Sequence, residues 1–307
     1  MLTGTARSVR AAVVAVVVAV VSVAALASQA AASSPLERFQ HCPVHLTQGC
    51  IFSKSQYKTD HWAKPTPPSA LVAGNVTIPL VKSLVLQGGI NELFNEAPEP
   101  LVAPEDGAPR VVPTPENVPG GLKGEIDESK LSGATLAAFK EAVKNHETKV
   151  TATIEPAPVN AAILLNNLNL LNVEGNFLTL PVKVKFSNPF LGEGCYSGSD
   201  AAPIDVELTD ATTTGPGEPL TGQLGTLSLV GHRASGEVIL IKEDSLVANN
   251  FEAPAVEGCG REAAWQAEVD AAINSKAGLP SPPGHNSTRL NGTQFVTSAE
   301  EVAEHGF

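Results

Sequence analysis

Leu178-Thr179-Leu180-Pro181-Val182-Lys183-Val184-Lys185-Phe186 alternates two kinds of side chain without a break. Leu178, Leu180, Val182, Val184 and Phe186 form an apolar stripe, opposite Thr179, Pro181, Lys183 and Lys185. Successive side chains of a strand point to opposite faces, so the pattern is that of a strand buried on one side and wet on the other. The period recurs on both flanks. Val150, Ala152 and Ile154 oppose Thr151, Thr153 and Glu155; Ile204, Val206 and Leu208 oppose Asp205 and Glu207. Leu227 and Leu229 lead into a turn around Gly231 to Gly236, from which Val238 to Ile241 returns. Towards the N-terminus, Val76-Thr77-Ile78-Pro79-Leu80 alternates as well, in a run that reaches Leu86 and stops at Gly88-Gly89. Antiparallel sheets with one buried face give this pattern, and several such strands predict a mainly β fold. The expected architecture is an antiparallel β-sandwich or open barrel with two peripheral α-helices.

The first helix follows Ser132 as cap, with Leu136, Phe139 and Val143 on one face and Lys140 and Lys144 towards solvent. The second spans Arg261 to Lys276, with Trp265, Val269, Ala272 and Ile273 inward and Gly278 and Pro280 ending it. Between the sheet-forming regions, residues 96–121 carry Pro98, Pro100, Pro104, Pro109, Pro113, Pro115 and Pro119. Proline excludes a helix or central strand there, leaving an extended linker or a strap packed over the domain. The Leu/Asn-rich stretch 159–176 reads equally as helix, bulged strand or cover over a sheet edge. The expected organisation is a signal peptide (1–32), a disulfide-stapled segment with the first strand or strands (33–95), the proline-rich linker or strap (96–121), the main β-rich domain (122–299) and an acidic, fraying tail (300–307).

The signal reading rests on three parts. Arg7 and Arg10 supply the charged start, Ala11 to Ala27 is small and apolar apart from Ser22, and Ser28-Gln29-Ala30 or Ala30-Ala31-Ala32 offers the cleavage pattern. The alternative is a retained anchor. A stable span needs about 20 strongly apolar residues, whereas this run is shorter and rich in alanine, and no second run of spanning length follows. The expectation is a secreted protein with no stable membrane span after cleavage. Loss of Arg7 and Arg10 from 20 basic residues against 32 acidic ones moves the formal charge from −12 to −14. Such a chain has nothing to cancel phosphate charge, which argues against nucleic acid and anionic membrane surfaces. Aromatic residues make up 5% of the chain, which argues mildly against modules that stack sugars; only Tyr57, Trp62, Tyr196 and Trp265 are on offer.

Four cysteines in an exported chain read as two disulfides with three possible pairings. Cys42 with Cys50 and Cys195 with Cys259 is preferred, because each pair shares a local setting: a short loop with Gly49 for the first, and glycine corners (Gly194, Gly258, Gly260) for the second. On the chain-entropy account, closing the longer loop stabilises the fold by about 4 kcal/mol.

Several strings together carry a resemblance. They include Cys42-Pro43 with Cys50-Ile51-Phe52, Leu86-Gln87-Gly88-Gly89, Leu180-Pro181-Val182-Lys183-Val184-Lys185 and Asn188-Pro189-Phe190-Leu191-Gly192. They continue with Cys195-Tyr196-Ser197-Gly198-Ser199, Gly258-Cys259-Gly260, Gly278-Leu279-Pro280-Ser281 and Leu290-Asn291-Gly292-Thr293. Over nearly all of the mature chain the sequence resembles a family of exported actinobacterial proteins with four cysteines and no assigned function. The resemblance implies secretion and the two-disulfide framework, and it brings no functional residues with it.

Motifs for chemistry are sparse. His41, Cys42, His45 and Cys50, followed by His61, have ligand chemistry suited to zinc, but their spacing matches no closed zinc pattern and export favours oxidised thiols. No metal site and no cofactor are expected. Asp200, Asp205 and Asp210 are loosely spaced and lack a calcium-loop pattern, leaving weak calcium binding as a residual reading. Ser197 imitates a nucleophile elbow, but its glycine is misplaced. His146, His232 and His285 are free to meet a distant Ser and Asp, so no catalytic residue is assigned. Asp127 and Glu128 read as charges at a helix start. Asn75, Asn286 and Asn291 match the N-glycosylation pattern by chance. The leading expectation is a secreted, non-enzymatic β-domain that binds a protein or cell-envelope partner or serves a structural role. The alternatives are a secreted hydrolase with a site built from scattered His, Ser and carboxylates, and a carrier of an apolar ligand, which would show as bound lipid.

Overall fold

The computed structural model describes residues 34–158, 162–232 and 236–306. The signal-peptide reading of residues 1–32 lies outside the described residues. In chain order the strands are β1 (Gly49–Gln56), β2 (Ala70–Ala73), β3 (Val76–Pro79), β4 (Val85–Ile90), β5 (Glu99–Pro100), β6 (Val111–Val112), β7 (Glu116–Asn117) and β8 (Thr151–Pro156). They continue as β9 (Leu164–Leu165), β10 (Leu178–Ser187), β11 (Tyr196–Ser197), β12 (Ile204–Leu208), β13 (Thr226–His232), β14 (Gly236–Ala248), β15 (Val256–Glu257) and β16 (Ser287–Ser298). Helices are α1 (Gly121–Glu125), α2 (Gly133–Lys144), α3 (Asn167–Asn172), α4 (Gln266–Ala277) and α5 (Ala299–His305).

The strands build two eight-stranded antiparallel sheets. Sheet A runs β13-β14-β16-β1-β4-β6, with β2 also against β16 and β3 against β2. Sheet B runs β15-β11-β10-β8-β7, with β12 and β9 also on β10 and β5 on β9. Neither path closes, and the inner faces share one core that joins Leu178, Leu180, Val182 and Val184 of β10 to Ile51, Leu86, Ile241 and Leu246 of sheet A. The fold is therefore the mainly β sandwich that the alternation of 178–186 predicts. A second, smaller core covers the outer face of sheet A. There Leu36, Phe39 and Cys50 meet Val238, Ala299 and Val302.

Several expectations are corrected. Pro35 onward forms one compact unit, so 33–95, 96–121 and 122–299 are not separate bodies. The proline-rich segment is a strap: β5 and β7 pair in sheet B, β6 pairs in sheet A, and Leu101 and Val111 are buried. Gly88 and Gly89 do not end a strand but lie inside β4, where a Cβ on Gly89 would fall 2.3 Å from the Thr47 side chain. Residues 300–305 do not fray. They form α5, capped by Ser298 Oγ accepting from the Glu301 amide and docked through Val302. Five helices replace the expected two among the described residues, the extra three being short. Ser132 precedes α2 but does not cap it through its side chain, because its hydroxyl donates to Glu268. Leu227 and Leu229 point outward from the edge strand β13 and are more than half exposed. In the Leu/Asn-rich stretch, Leu164–Leu165 pairs with both β10 and β5 inside sheet B and α3 follows; Asn166 caps α3 while Ile163, Leu165 and Leu170 bury, so from Ala162 on the stretch is a short strand and then a short helix.

Candidate functional site

The largest concavity among those characterised is a groove of about 460 Å³ on the outer face of sheet B. Its floor is the polar side of the strand that decides the fold. The inward turn of Val182 and Val184 forces Lys183 and Lys185 outward, and antiparallel pairing sets Tyr196 of β11 opposite Lys185. The ammonium groups lie 5.2 Å and 5.9 Å from the Tyr196 ring centre. Asp200 binds Lys183 at 2.7 Å, and Glu193 binds Lys185 at 3.2 Å. These bonds to Asp200 and Glu193 are the main reason both lysines titrate above their ordinary range. The groove's rim is held by the Cys195–Cys259 disulfide and by α4. Asp270 accepts the amides of Gly258 and Cys259, and Asn274 brackets Val256 through both its amide and its carbonyl. Gly258 has φ 72°, and a Cβ there would come 2.4 Å from the Gly194 carbonyl oxygen, so the two corners approach closely only with glycine.

A second polar group lies inside the sandwich, on sheet A. Strand β14 carries a bulge between Lys242 and Asp244, at Glu243, whose φ is 62°. Ile239 and Ile241 face the core before it, so an unbroken strand would turn Asp244 outward. The extra residue reverses the phase, bringing Asp244 and Leu246 onto the core face opposite Gly292 and Leu290. Asp244 is 2% exposed and accepts a short hydrogen bond from the Gln294 amide. Burial pushes its pKa up to about 8, with Gln294 pulling the other way and Asp210 adding to the rise. Asp210, just beyond β12 and 1% exposed, is pushed up to about 7, again by burial. On the opposite side of β16, Asn291 collects Thr66 and Ser245 hydroxyls on its carbonyl and donates to the Pro67 carbonyl. Arg289 donates to Ser245 and to the Thr221 carbonyl.

The structure disperses most residues singled out from the sequence. Cys42 is bonded to Cys50 and Cys195 to Cys259, so the His41, Cys42, His45 and Cys50 group has no thiolates to offer a metal. His41 Nδ1 lies 2.7 Å from Asp106, but Nε2 contacts the Gln40 amide at 3.0 Å, so no nucleophile stands on its free side. The Ser197 hydroxyl is spent on the Pro254 carbonyl. His146 follows α2 and His285 follows Pro282 in a turn, and the His232 side chain lies outside the described residues. Asp127 caps the short turn Glu128–Lys130, and Glu128 pairs with Lys140. Of the three glycosylation matches, Asn286 and Asn291 are buried and bonded to backbone carbonyls, while Asn75 is exposed. Asp200, Asp205 and Asp210 part company: Asp200 joins the groove, Asp205 is exposed on β12, and Asp210 is buried near Asp244. Asp244 and Gln294 escaped the sequence reading. Their one signal is the charged triplet Lys242-Glu243-Asp244 between two apolar runs, which marks the bulge.

No protein-family model matches the chain, and no curated protein or solved structure matches it significantly.

Proposed function

We propose that this is an exported, non-enzymatic binding protein whose ligand or envelope partner meets the groove lined by Lys183, Tyr196 and Asp200, with Lys185 beside it. The observation that carries this reading is the state of Lys183 in the groove and of Lys185 beside it. Catalytic lysines have pKa values lowered towards neutrality, whereas Lys183 and Lys185 are raised by their carboxylate partners. They are cations at neutral pH and suit recognition, not proton abstraction. Two strands, a disulfide and α4 hold the groove rigid, which lowers the entropy lost on binding. The exported location is supported by the two disulfides and the N-terminal sequence pattern.

The apolar-carrier alternative draws no comparable support. The two cavities between the sheets, one of them bordered by Asp244, are each about 30 Å³, whereas pockets for drug-sized ligands run to about 300–1,000 Å³.

The test is native mass spectrometry of the protein recovered from culture medium, beside Tyr196→Ala and Lys183→Ala variants. A bound mass carried by the parent protein and lost from both variants is the expected result. A passenger retained by both, or turnover of ester, peptide or glycoside substrates above a heat-killed control, would overturn the reading.

A further inference from the structure

The interior of sheet A poses a problem of charge that the groove does not touch. Asp210 and Asp244 are both within 2% of full burial and electrostatically coupled, yet no described cation pairs with either. Arg289, across the strand, is committed to Ser245 and Thr221, and only its own burial perturbs it. The hydrogen-bond shortage has the same sign. Both Asp210 carboxylate oxygens, Asp244 Oδ1 and Gln294 Oε1 are buried and lack a hydrogen-bond partner from any other residue, only the amide of Asp210 itself acting on its own carboxylate. Gln294, fully buried, turns its amide to Asp244 Oδ2, so its carbonyl oxygen is the free end. Buried polar groups that lack partners are rare, and each one calls for an explanation such as an ion or a water. Here every unmet group is an acceptor.

We infer that Asp210, Asp244 and Gln294 form an interior site for one hard divalent cation, of which Ca²⁺ is the best fit. Oxygen-only donors select Ca²⁺ or Mg²⁺ over zinc or copper. Mg²⁺ holds several waters in strict octahedral order, whereas Ca²⁺ accepts irregular sets of carboxylate and amide oxygens. Four protein oxygens are on offer, and two carboxylates balance a charge of +2. A cavity of about 30 Å³, lined mostly by apolar side chains, borders Asp244, Ser53 and Ser55 and has room for about one water on the Asp244 side of the site. Three separate chain segments meet here: the loop after β12, which bridges β14 through Thr209 and Val247, the bulged β14 itself, and β16. A cation would therefore tie the bulge to the loop. The calcium reading of Asp200, Asp205 and Asp210 is not what is proposed, since the fold keeps only Asp210 of the three.

The experiment uses the whole exported protein, stripped with chelator and titrated with Ca²⁺, then Mg²⁺, at constant pH and ionic strength. Thermal unfolding and equilibrium dialysis are read together. The expected result is one bound Ca²⁺ per chain. At a free concentration of 100 Kd, the unfolding equilibrium should shift about 100-fold towards the folded state. Asp210→Asn and Gln294→Leu should both fold and should lose the response, the first by removing charge and the second by removing an oxygen without adding charge. Unchanged unfolding with and without Ca²⁺ would overturn the site. So would a full response in both variants, because it would assign the binding to surface carboxylates.

Discussion

Strands β10 and β14 both lie against the same core, yet they carry opposite kinds of information. In β10, five apolar residues alternate with polar ones, and each apolar side chain goes inward, giving a dry inner face and a charged groove outside. In β14 the alternation holds only to Ile241; the bulge at Glu243 then changes its phase and delivers a carboxylate to the interior. Its neighbour β16, and β1 beyond it, are equally mixed, with Gln294, Asn291 and Ser55 buried. Sheet B is thus held by area removed from water, while the middle of sheet A adds a network of polar groups that must be partnered. The lesson is that a strand's place in a sandwich depends less on its hydrophobicity than on whether its neighbours can satisfy what it buries.

The contrast can be broken most severely at the bulge. Deleting Lys242 and Glu243 together joins Asp244 directly to Ile241, and plain alternation then turns Ser245 and Val247 towards the core and Asp244 and Leu246 away from it. The expected outcome is loss of the cooperative unfolding transition in circular dichroism. A normal transition after the double deletion would show that the phase of β14 beyond Ile241 does not hold the fold together. Next in size is Leu180→Ala on β10, at 4% exposure. It should cost about 2–5 kcal/mol in urea unfolding, as for buried leucines generally, without altering the fold. A loss well under that range would mean that sheet B is less tightly packed than its burial indicates.

The smallest effect sharpens the comparison from the apolar side. Glu125 of α1 is the one acid lining the aliphatic cavity formed by Val182, Val184 and Ile204 with Leu71 and Ile78. Burial raises its pKa from 4.5 to about 7, against a pull from Lys276. A raised carboxyl pKa means that the fold prefers the protonated form. Its contribution is complete below pH 4.5 and declines as pH rises towards 7, because the unfolded chain ionises first. Relative to Glu125→Gln, the parent protein should lose roughly 3 kcal/mol across that window. Parallel stability curves for the two proteins would show that Glu125 is solvated in the fold.

What was legible in the sequence follows from these differences. The groove residues Lys183 and Tyr196, with Lys185 beside them, lie on or next to a strand whose face assignment needs only a period of two, so the outward direction of the lysines was readable. Their meeting with Asp200 and Glu257 was not, because Asp200 arrives from a loop and Glu257 from β15, both within the segment closed by the Cys195–Cys259 disulfide. Strand β16 went unread because Ser287-Thr288-Arg289-Leu290-Asn291-Gly292-Thr293-Gln294 has too few apolar residues to show a stripe. Tertiary partners more than 200 residues away bury it: Ser69 and Pro67 meet Asn291. The acidic tail misled in the same way, since Val302 needs Leu36, Phe39 and Val238 to make a core.

The sequence by itself determined the β class and the inward and outward faces of the cleanest strands. These are local properties, set by side chains that alternate along one extended backbone. Tertiary structure alone decided the strand order, the strap across both sheets and the phase change at Glu243. It also placed Asp210, Asp244 and Gln294 together, since three distant segments must converge before a buried charge has neighbours at all.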